Sequence, residues 1–362
     1  MSKRMQGEGV TIKEVARIAR VSPSTVSLVI NNKPGVHEET RYRVHKIAEA
    51  LNYRPNLVAR SLVKGRSYTI AMLITSPMNP IFPEMAAGMD DVLQKHGYSM
   101  SIISTHDDEK LQSTEVGKIR ARGIDGIVTS DALTHSESLS QLAKSGYPVV
   151  SILRRVYGCE ELDFVVVDAV KGAYWAVEHL IRLGHVRIAI INGPVNTSTA
   201  LERAEGYFKA LKDYGIQAQE DLAHPGDFFQ ESGYVAVKRF LELSPNKRPT
   251  AIFAANDEMA LGAFEAIWDV GLNVPGDMAL VGFNNVATTA LRSIEITTVS
   301  QRKQEMGRIG VKRVIDKIEK NRGYKKPFHV VLEPQLIIRK SCGFSAASGY
   351  VRPMSKKRQI EG

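Results

Sequence analysis

The sequence predicts a small all-α domain followed by a larger two-lobed α/β domain built on doubly wound parallel sheets. Three observations carry this. At 362 residues the chain exceeds what one compact core usually holds, so length favours two or three domains. The formal net charge of +9 is concentrated: residues 1–66 hold 13 Lys and Arg against 5 Asp and Glu, a shorter basic stretch follows Tyr350, and the body between is nearly neutral. From Tyr68 onward, short apolar runs alternate with stretches of helical length, the pattern of parallel strands covered on both faces by helices.

Composition narrows the class. Hydrophobic residues at 43% and charged residues at 24% are ordinary for a globular protein and exclude disorder or a fibrous repeat. No run approaches the ~18 consecutive apolar residues of a spanning helix. The opening MSKRMQGEGVTIKEV lacks the apolar segment of a secretory signal, so the expected location is the cytoplasm, with no membrane partner. Cys159 and Cys342 are too few for a disulfide framework or a zinc site, and both are expected to be reduced. No metal and no cofactor is expected. A basic head on a neutral body is the footprint of a surface that displaces counterions from a polyanion, either nucleic acid or anionic membrane.

The head begins with Thr11-Ile12-Lys13-Glu14, a capping-box spacing that starts a helix running to about Ala19. Ile12, Val15, Ala16 and Ile18 are assigned to its apolar side, leaving Lys13, Arg17 and Arg20 to solvent or phosphate. Ser22 suits an N-cap and Pro23 the first helical position, so a second helix covers Ser24 to about Ile30. Two helices so closely spaced make a helix-turn-helix. Val26, Val29 and Ile30 pack inward, which leaves Pro23, Ser24, Thr25, Ser27 and Leu28 at the exposed start of the second helix, where base edges are read. A third helix from about Glu39 to Leu51 supplies Val44, Ile47, Ala48 and Leu51 as a core wall. Short helices that bury their apolar faces against one another argue against a membrane-surface helix.

In the body, the expected strands are Thr69 to Ile74, Ser99 to Ile103, Gly126 to Thr129, Pro148 to Leu153, Phe164 to Val167, Arg187 to Ile191, Ala251 to Ala254 and Ala279 to Val281. Ligands of such sheets bind beyond the carboxyl ends of the strands, so two facing lobes place the site in the cleft between them. Enzymatic signatures are missing: no G-x-G-x-x-G follows a strand, and no G-x-x-x-x-G-K-[ST], G-x-S-x-G or H-E-x-x-H occurs. No catalytic residue is assigned. Asp107-Asp108-Glu109 is most simply a solvated loop before a helix.

The segments Val10-Thr11-Ile12-Lys13-Glu14-Val15-Ala16, Val21-Ser22-Pro23-Ser24-Thr25-Val26-Ser27 and Leu51-Asn52-Tyr53-Arg54-Pro55-Asn56 resemble the LacI/GalR repressor family, and Ala59-Arg60-Ser61-Leu62 continues the match. Landmarks in the body extend it, among them Asn79-Pro80-Ile81-Phe82, Arg203 with Gly206-Tyr207, Ala255-Asn256-Asp257 and Thr297-Thr298-Val299 with Gln301. The resemblance implies a body similar to periplasmic sugar-binding proteins and a homodimer that reads pseudo-palindromic double-stranded operator DNA. It also implies a hinge helix after the third helix, which orders on DNA and wedges Leu62 between central base pairs. The implied DNA-contacting set is Thr11, Ser22, Pro23, Ser24, Thr25, Ser27, Leu28, Asn31, Tyr53, Asn56, Ala59, Arg60 and Leu62. Leu28 departs from the Arg or His common at its place; it has no bidentate contact to offer guanine but can meet a thymine methyl. His37 replaces the usual capping Ser or Thr of the third helix.

For the effector cleft, Phe82 and Phe228 resemble aromatic walls, Asn256 a hydrogen-bonding position and Gln301 a residue near the crossover. The family's anchoring arginine is expected to fall on Leu201 and its aspartate on Asn284, and Leu153 and Ala169 occupy places where polar residues are common. Loss of both anchors removes the strongest orienting groups for a sugar. An amphipathic small-molecule effector, a protein partner or no ligand therefore stay open. The expected boundaries are 1–53 for the helix-turn-helix domain and 54–68 for the hinge. One lobe takes 69–165 with 302–330, the other 166–301 with 331–345, and 346–362 form a basic tail. The alternative reading is a ligand-binding protein of the periplasmic type whose head serves another partner.

Overall fold

The computed structural model describes residues 10–54, 65–319 and 326–344. It divides into two compact units between Ser67 and Tyr68. The expected hinge helix and basic tail lie outside the described residues.

The first unit holds α1 (Ile12–Ala19), α2 (Pro23–Ile30) and α3 (Glu38–Ala50). Each start has a local cause where the side chain permits one. Thr11 accepts a hydrogen bond from the Glu14 amide at 3.3 Å, and Ser22 accepts one from the Thr25 amide at 3.1 Å with Pro23 at N1. His37 makes no side-chain cap at α3. Val15, Ala16, Ala19, Val26, Val29, Val44 and Ala48 form the core. One residue departs from expectation: Ile18 is 41% exposed and Ala19 is buried in its stead. Positions 12, 15, 16 and 19 follow the 3–4 spacing of one helical face, whereas 18 lies about 100° off it.

The second unit contains two six-stranded sheets. The first comprises β1 (Thr69–Ile74), β2 (Ser99–Ser104), β3 (Gly126–Thr129), β4 (Val149–Ile152), β5 (Asp163–Val167) and β11 (His329–Leu332), in the order β11-β5-β4-β3-β1-β2. The second comprises β6 (Ile188–Asn192), β7 (Ala223–Pro225), β8 (Ala251–Ala254), β9 (Ala279–Asn284), β10 (Thr297–Ser300) and β12 (Gln335–Ile337), in the order β12-β10-β9-β8-β6-β7. All pairings are parallel except β12 on β10. The central strands are buried throughout apart from Thr69 at the start of β1, as continuous apolar runs require between helical layers.

The helices are α4 (Ile81–His96), α5 (Glu109–Ala121), α6 (Glu137–Lys144), α7 (Ala169–Arg182), α8 (Ser198–Asp213), α9 (Gln230–Glu242), α10 (Asp257–Asp269) and α11 (Lys303–Glu319). The chain passes between lobes three times: between β5 and α7, between β10 and α11, and between β11 and β12. Boundaries after 165 and after 330 would cut β5 and β11. Ladder pairing carries both strands on, to Val167 and Leu332, so the first and third crossings fall beyond them.

Close helix packing depends on missing side chains. A Cβ on Gly88 of α4 would collide with the Gln304 carbonyl of α11, and one on Gly307 of α11 with the Met85 carbonyl of α4. The two helices therefore touch backbone to backbone.

Candidate functional site

Two surfaces carry the residues singled out by sequence. On the first unit, Ser22, Pro23, Ser24, Ser27 and Asn31 are exposed at α2, Thr25 is half-buried, and Leu28 is 38% exposed. The hydroxyls are mutually engaged: Ser22 Oγ lies 2.6 Å from Ser24 Oγ and 2.8 Å from Thr25 Oγ1. Asn31 donates to the Ser27 carbonyl at 2.7 Å. Thr11, Lys13, Arg17 and Arg20 are exposed along α1. Tyr53 packs part-buried against the core, its amide donating to the Ala48 carbonyl at 2.8 Å, and burial raises its phenol pKa. A small, polar and apolar-tipped helix start beside exposed cations is the equipment of a major-groove reader. Asn56, Ala59, Arg60 and Leu62 lie outside the described residues.

On the second unit, a cavity of about 470 Å³, part of it open to solvent, opens where the strands of both sheets end. One side is formed by Thr75 after β1, Asn79 to Phe82 at the start of α4, Asp107 after β2, and Leu153 with Arg154 after β4. The other is formed by Thr199 and Arg203 of α8, Phe228 before α9, Asn256 and Asn284. Strand ends are where open α/β sheets expose loop backbone and helix starts to a ligand.

Phe82, Phe228, Asn256 and Asn284 thus come together as expected, and two residues do not. Leu201 is 41% exposed and absent from the cavity wall; Arg203 stands there in its place. On α8, positions 199 and 203 share a face, while 201 lies about 200° away from 199. The donor fork expected to be lost is therefore present. Gln301 is buried behind the wall, donating its amide to Asn284 Oδ1, and its own Oε1 has no hydrogen-bond partner among the described residues.

The geometry is held by strained and paired groups. Arg154 and Asp107 make a two-pronged ion pair, Nη1 to Oδ1 at 2.5 Å and Nη2 to Oδ2 at 3.3 Å. Asp107 is thus a cleft residue rather than part of a solvated loop, while Asp108 caps α5 by accepting from the Lys110 and Leu111 amides. Leu153 sits at φ +73° while the Arg154 amide donates to the Ile152 carbonyl at 2.8 Å, a tight turn that aims Arg154. Asp107, Phe228 and Asn284 also have positive φ, at 58°, 71° and 123°. Such conformations cost about 1–3 kcal/mol each for non-glycine residues and persist where the surroundings over-determine them.

Arg203 donates Nη1 to the Ala255 carbonyl at 2.5 Å and lies 4.1 Å from the Phe283 ring centroid. Burial lowers its pKa to about 9. The Phe228 ring has the Arg154 and Arg203 guanidiniums each 5.9 Å from its centroid, and its carbonyl accepts from Asn256 Nδ2 at 2.8 Å. Asn256 also caps α10 by accepting from the Met259 amide at 2.9 Å. Behind Asn284, Lys303 donates to the carbonyls of Asn284 and Asn285 at 2.9 and 2.6 Å and pairs with Glu84 at 2.9 Å.

Arg154, Asp107 and Arg203 were not assigned from sequence. Arg154 and Asp107 are 47 residues apart with no local motif, whereas Arg203 is a landmark of the resemblance beside Gly206-Tyr207 that carries no cleft role in the sequence reading.

A basic helix-turn-helix unit joined in sequence to a two-lobed α/β unit with a cleft at its strand ends defines a transcription regulator with a ligand-binding type of body. The family model described as bacterial regulatory proteins, lacI family, matches residues 11–56, and that described as periplasmic binding proteins and sugar binding domain of LacI family matches residues 67–332. The chain belongs to the LacI family. It is 33% identical over 331 residues to the HTH-type transcriptional repressor PurR of Aliivibrio salmonicida (strain LFI1238), covering 91% of this chain and 98% of that one. PurR of Haemophilus influenzae (strain PittEE) is 33% identical over 333 residues, again with 91% and 98% covered. Among solved structures, the lac repressor dimer bound to operator and the anti-inducer ONPF superposes with a TM-score of 0.82 at 26% identity, covering 92% of this chain and 99% of that one. The transcriptional regulator CelR–cellobiose complex gives 0.70 at 29% identity with the same coverage. Among the described residues no helix is long and apolar enough to cross a membrane.

Proposed function

We infer that the protein is a ligand-responsive transcriptional repressor that occupies a two-fold symmetric operator as a homodimer. The observation that carries this is the start of α2, where Pro23, Ser24, Ser27 and Leu28 are exposed above a core that needs none of them. Two copies of such a reader match two half-sites, and the protein's own two-fold axis sets their spacing. The cleft residues Phe82, Phe228, Asn256, Asn284 and Arg203 take a small-molecule effector, with Gln301 holding Asn284 in place. A ligand that binds one lobe arrangement better shifts the dimer towards or away from the DNA-binding state by that difference in affinity. No chemical step is assigned to the cleft, and the site of action is the cytoplasm.

In-vitro selection from random duplex DNA by the full-length protein at near-physiological salt tests this. Enrichment of a pseudo-palindrome is expected; salt-sensitive binding without enrichment would reduce the head to a non-specific polyanion binder.

A further inference from the structure

Two guanidinium groups in the cleft wall have one paired carboxylate between them. Arg154 and Arg203 are 3% and 2% exposed, and both line the cavity. Arg154 takes both oxygens of Asp107. Arg203 has no carboxylate in contact among the described residues; its one hydrogen bond runs to the Ala255 carbonyl, and a ring covers its face. The nearby acids are already taken. Glu202 accepts from Arg155 Nε at 3.0 Å and Nη2 at 2.5 Å, and Asp257 accepts from Thr298 Oγ1 at 2.6 Å and the Val286 amide at 2.8 Å.

The Nε atoms of both Arg154 and Arg203 are buried without an acceptor. The walls beside them, Leu153, Asn256 and Asn284, bring no charge. Asp227 is also in the lining, but it is exposed and its Oδ1 accepts from the Phe229 amide at 2.9 Å. A desolvated cation without a partner is costly, and planar guanidinium forks match carboxylate and phosphate oxygens in pairs.

We propose that the cleft binds a small organic anion whose carboxylate or phosphate neutralises Arg203 beside Arg154, with its carbon skeleton against Phe82 and Phe228. This rests on the cleft being the effector site. The anion completes the charge balance of the wall; a neutral sugar of the same shape leaves it incomplete.

The test is saturable thermal shift and titration calorimetry on the full-length protein at constant ionic strength with charged and neutral pairs: D-gluconate against D-glucitol, glucose 6-phosphate against glucose, and benzoate against benzyl alcohol. At least one anion is expected to bind at least about tenfold more tightly than its neutral partner, the scale of one charge-assisted contact. Comparing the carboxylate and phosphate arms assigns the head group. Arg203→Gln is expected to abolish the preference. Should that variant fold poorly, Asn284→Asp keeps an acceptor for Gln301, places a competing carboxylate in the wall and is expected to weaken the anion at least about tenfold while sparing neutral compounds.

Neutral members that bind as tightly as their charged partners in all three pairs, anion binding unchanged in Asn284→Asp, or no saturable response to any anion would each overturn the proposal. The DNA selection reads separately, so an enriched operator combined with any of these results removes the anion and leaves the repressor standing.

Discussion

Thr199 and Arg203 lie one helical turn apart on the cleft face of α8, and Leu201 between them faces solvent. The two side chains on either side of this helix therefore differ in what their loss does. Leu201→Ala should move the urea-unfolding free energy by less than about 0.5 kcal/mol, as exposed substitutions do. Arg203→Met exchanges one hydrogen bond and a ring contact for the removal of a desolvated cation, and should raise stability of the ligand-free protein by about 1 kcal/mol. A loss of stability in Arg203→Met would mean that its bond to the Ala255 carbonyl outweighs the charge.

Breaking the pair of Arg154 and Asp107 from the acidic side should do the opposite. Asp107→Ala leaves Arg154 buried and unpaired, a change expected to cost about 3 kcal/mol in chemical denaturation. Arg154→Met combined with Asp107→Leu should recover most of it, and a double-mutant cycle reads the coupling.

Close contact between α4 and α11 gives a steric prediction. Gly88→Ala drives a methyl into the Gln304 carbonyl, which belongs to backbone and cannot rotate away. The expected cost is about 1–3 kcal/mol, with Gly307→Ala in the same range and the double variant less than additive.

His185 supplies a pH dependence. Its ring is part-buried with Nδ1 3.0 Å from Thr250 Oγ1, and burial lowers its pKa below the ordinary 6.5. The unfolded chain then binds more protons than the folded one, so this group's contribution is present above pH 6.5 and is lost as pH falls through the folded value. Unfolding free energies measured from pH 7.5 to pH 5 should fall more steeply for the native protein than for His185→Gln; identical slopes would remove His185 as a source.

At the head, Leu28→Ala should change stability by less than about 0.5 kcal/mol, since the side chain is partly exposed outside the core. Repeating the DNA selection with this variant should relax one position in each half-site, a discrimination worth about 1 kcal/mol or more. Val29→Ala, fully buried next door, should instead lower the melting temperature.

What was legible in the sequence follows from how local its cause is. Ser22-Pro23 carries its own N-cap and N1 signals, and the run Thr69–Ile74 is apolar enough to mark a strand buried on both faces. Thr297–Ser300 was not marked as a strand because its hydroxyls mimic a loop. They are satisfied only through the fold, Thr297 Oγ1 donating to the Arg339 carbonyl and Thr298 Oγ1 to Asp257. His329–Leu332 and Gln335–Ile337 are short edge strands with little burial to pattern them. In the cleft, the aromatic and amide positions were visible by resemblance. The Arg154–Asp107 pair exists only because the ends of β2 and β4 open into one cleft.

The three crossings between lobes bear on synthesis. A ribosome delivers the chain from its N-terminal end, yet β11 pairs beside β5 and arrives last in its sheet, and α11 covers β3, β4 and β5 from late in the chain. Neither lobe is contiguous, so neither sheet is complete until β11 and β12 have been made. A nascent chain halted after Gln301 would leave β5 with an unpaired edge and the Gly126 face of the first sheet without Val314 and Ile318 above it, a sticky intermediate of the kind that chaperones hold. The repressor's supply is thus tied to translation through β11 and β12, and nonsense changes between Gln301 and Ile337 should deplete the protein as thoroughly as changes near its start.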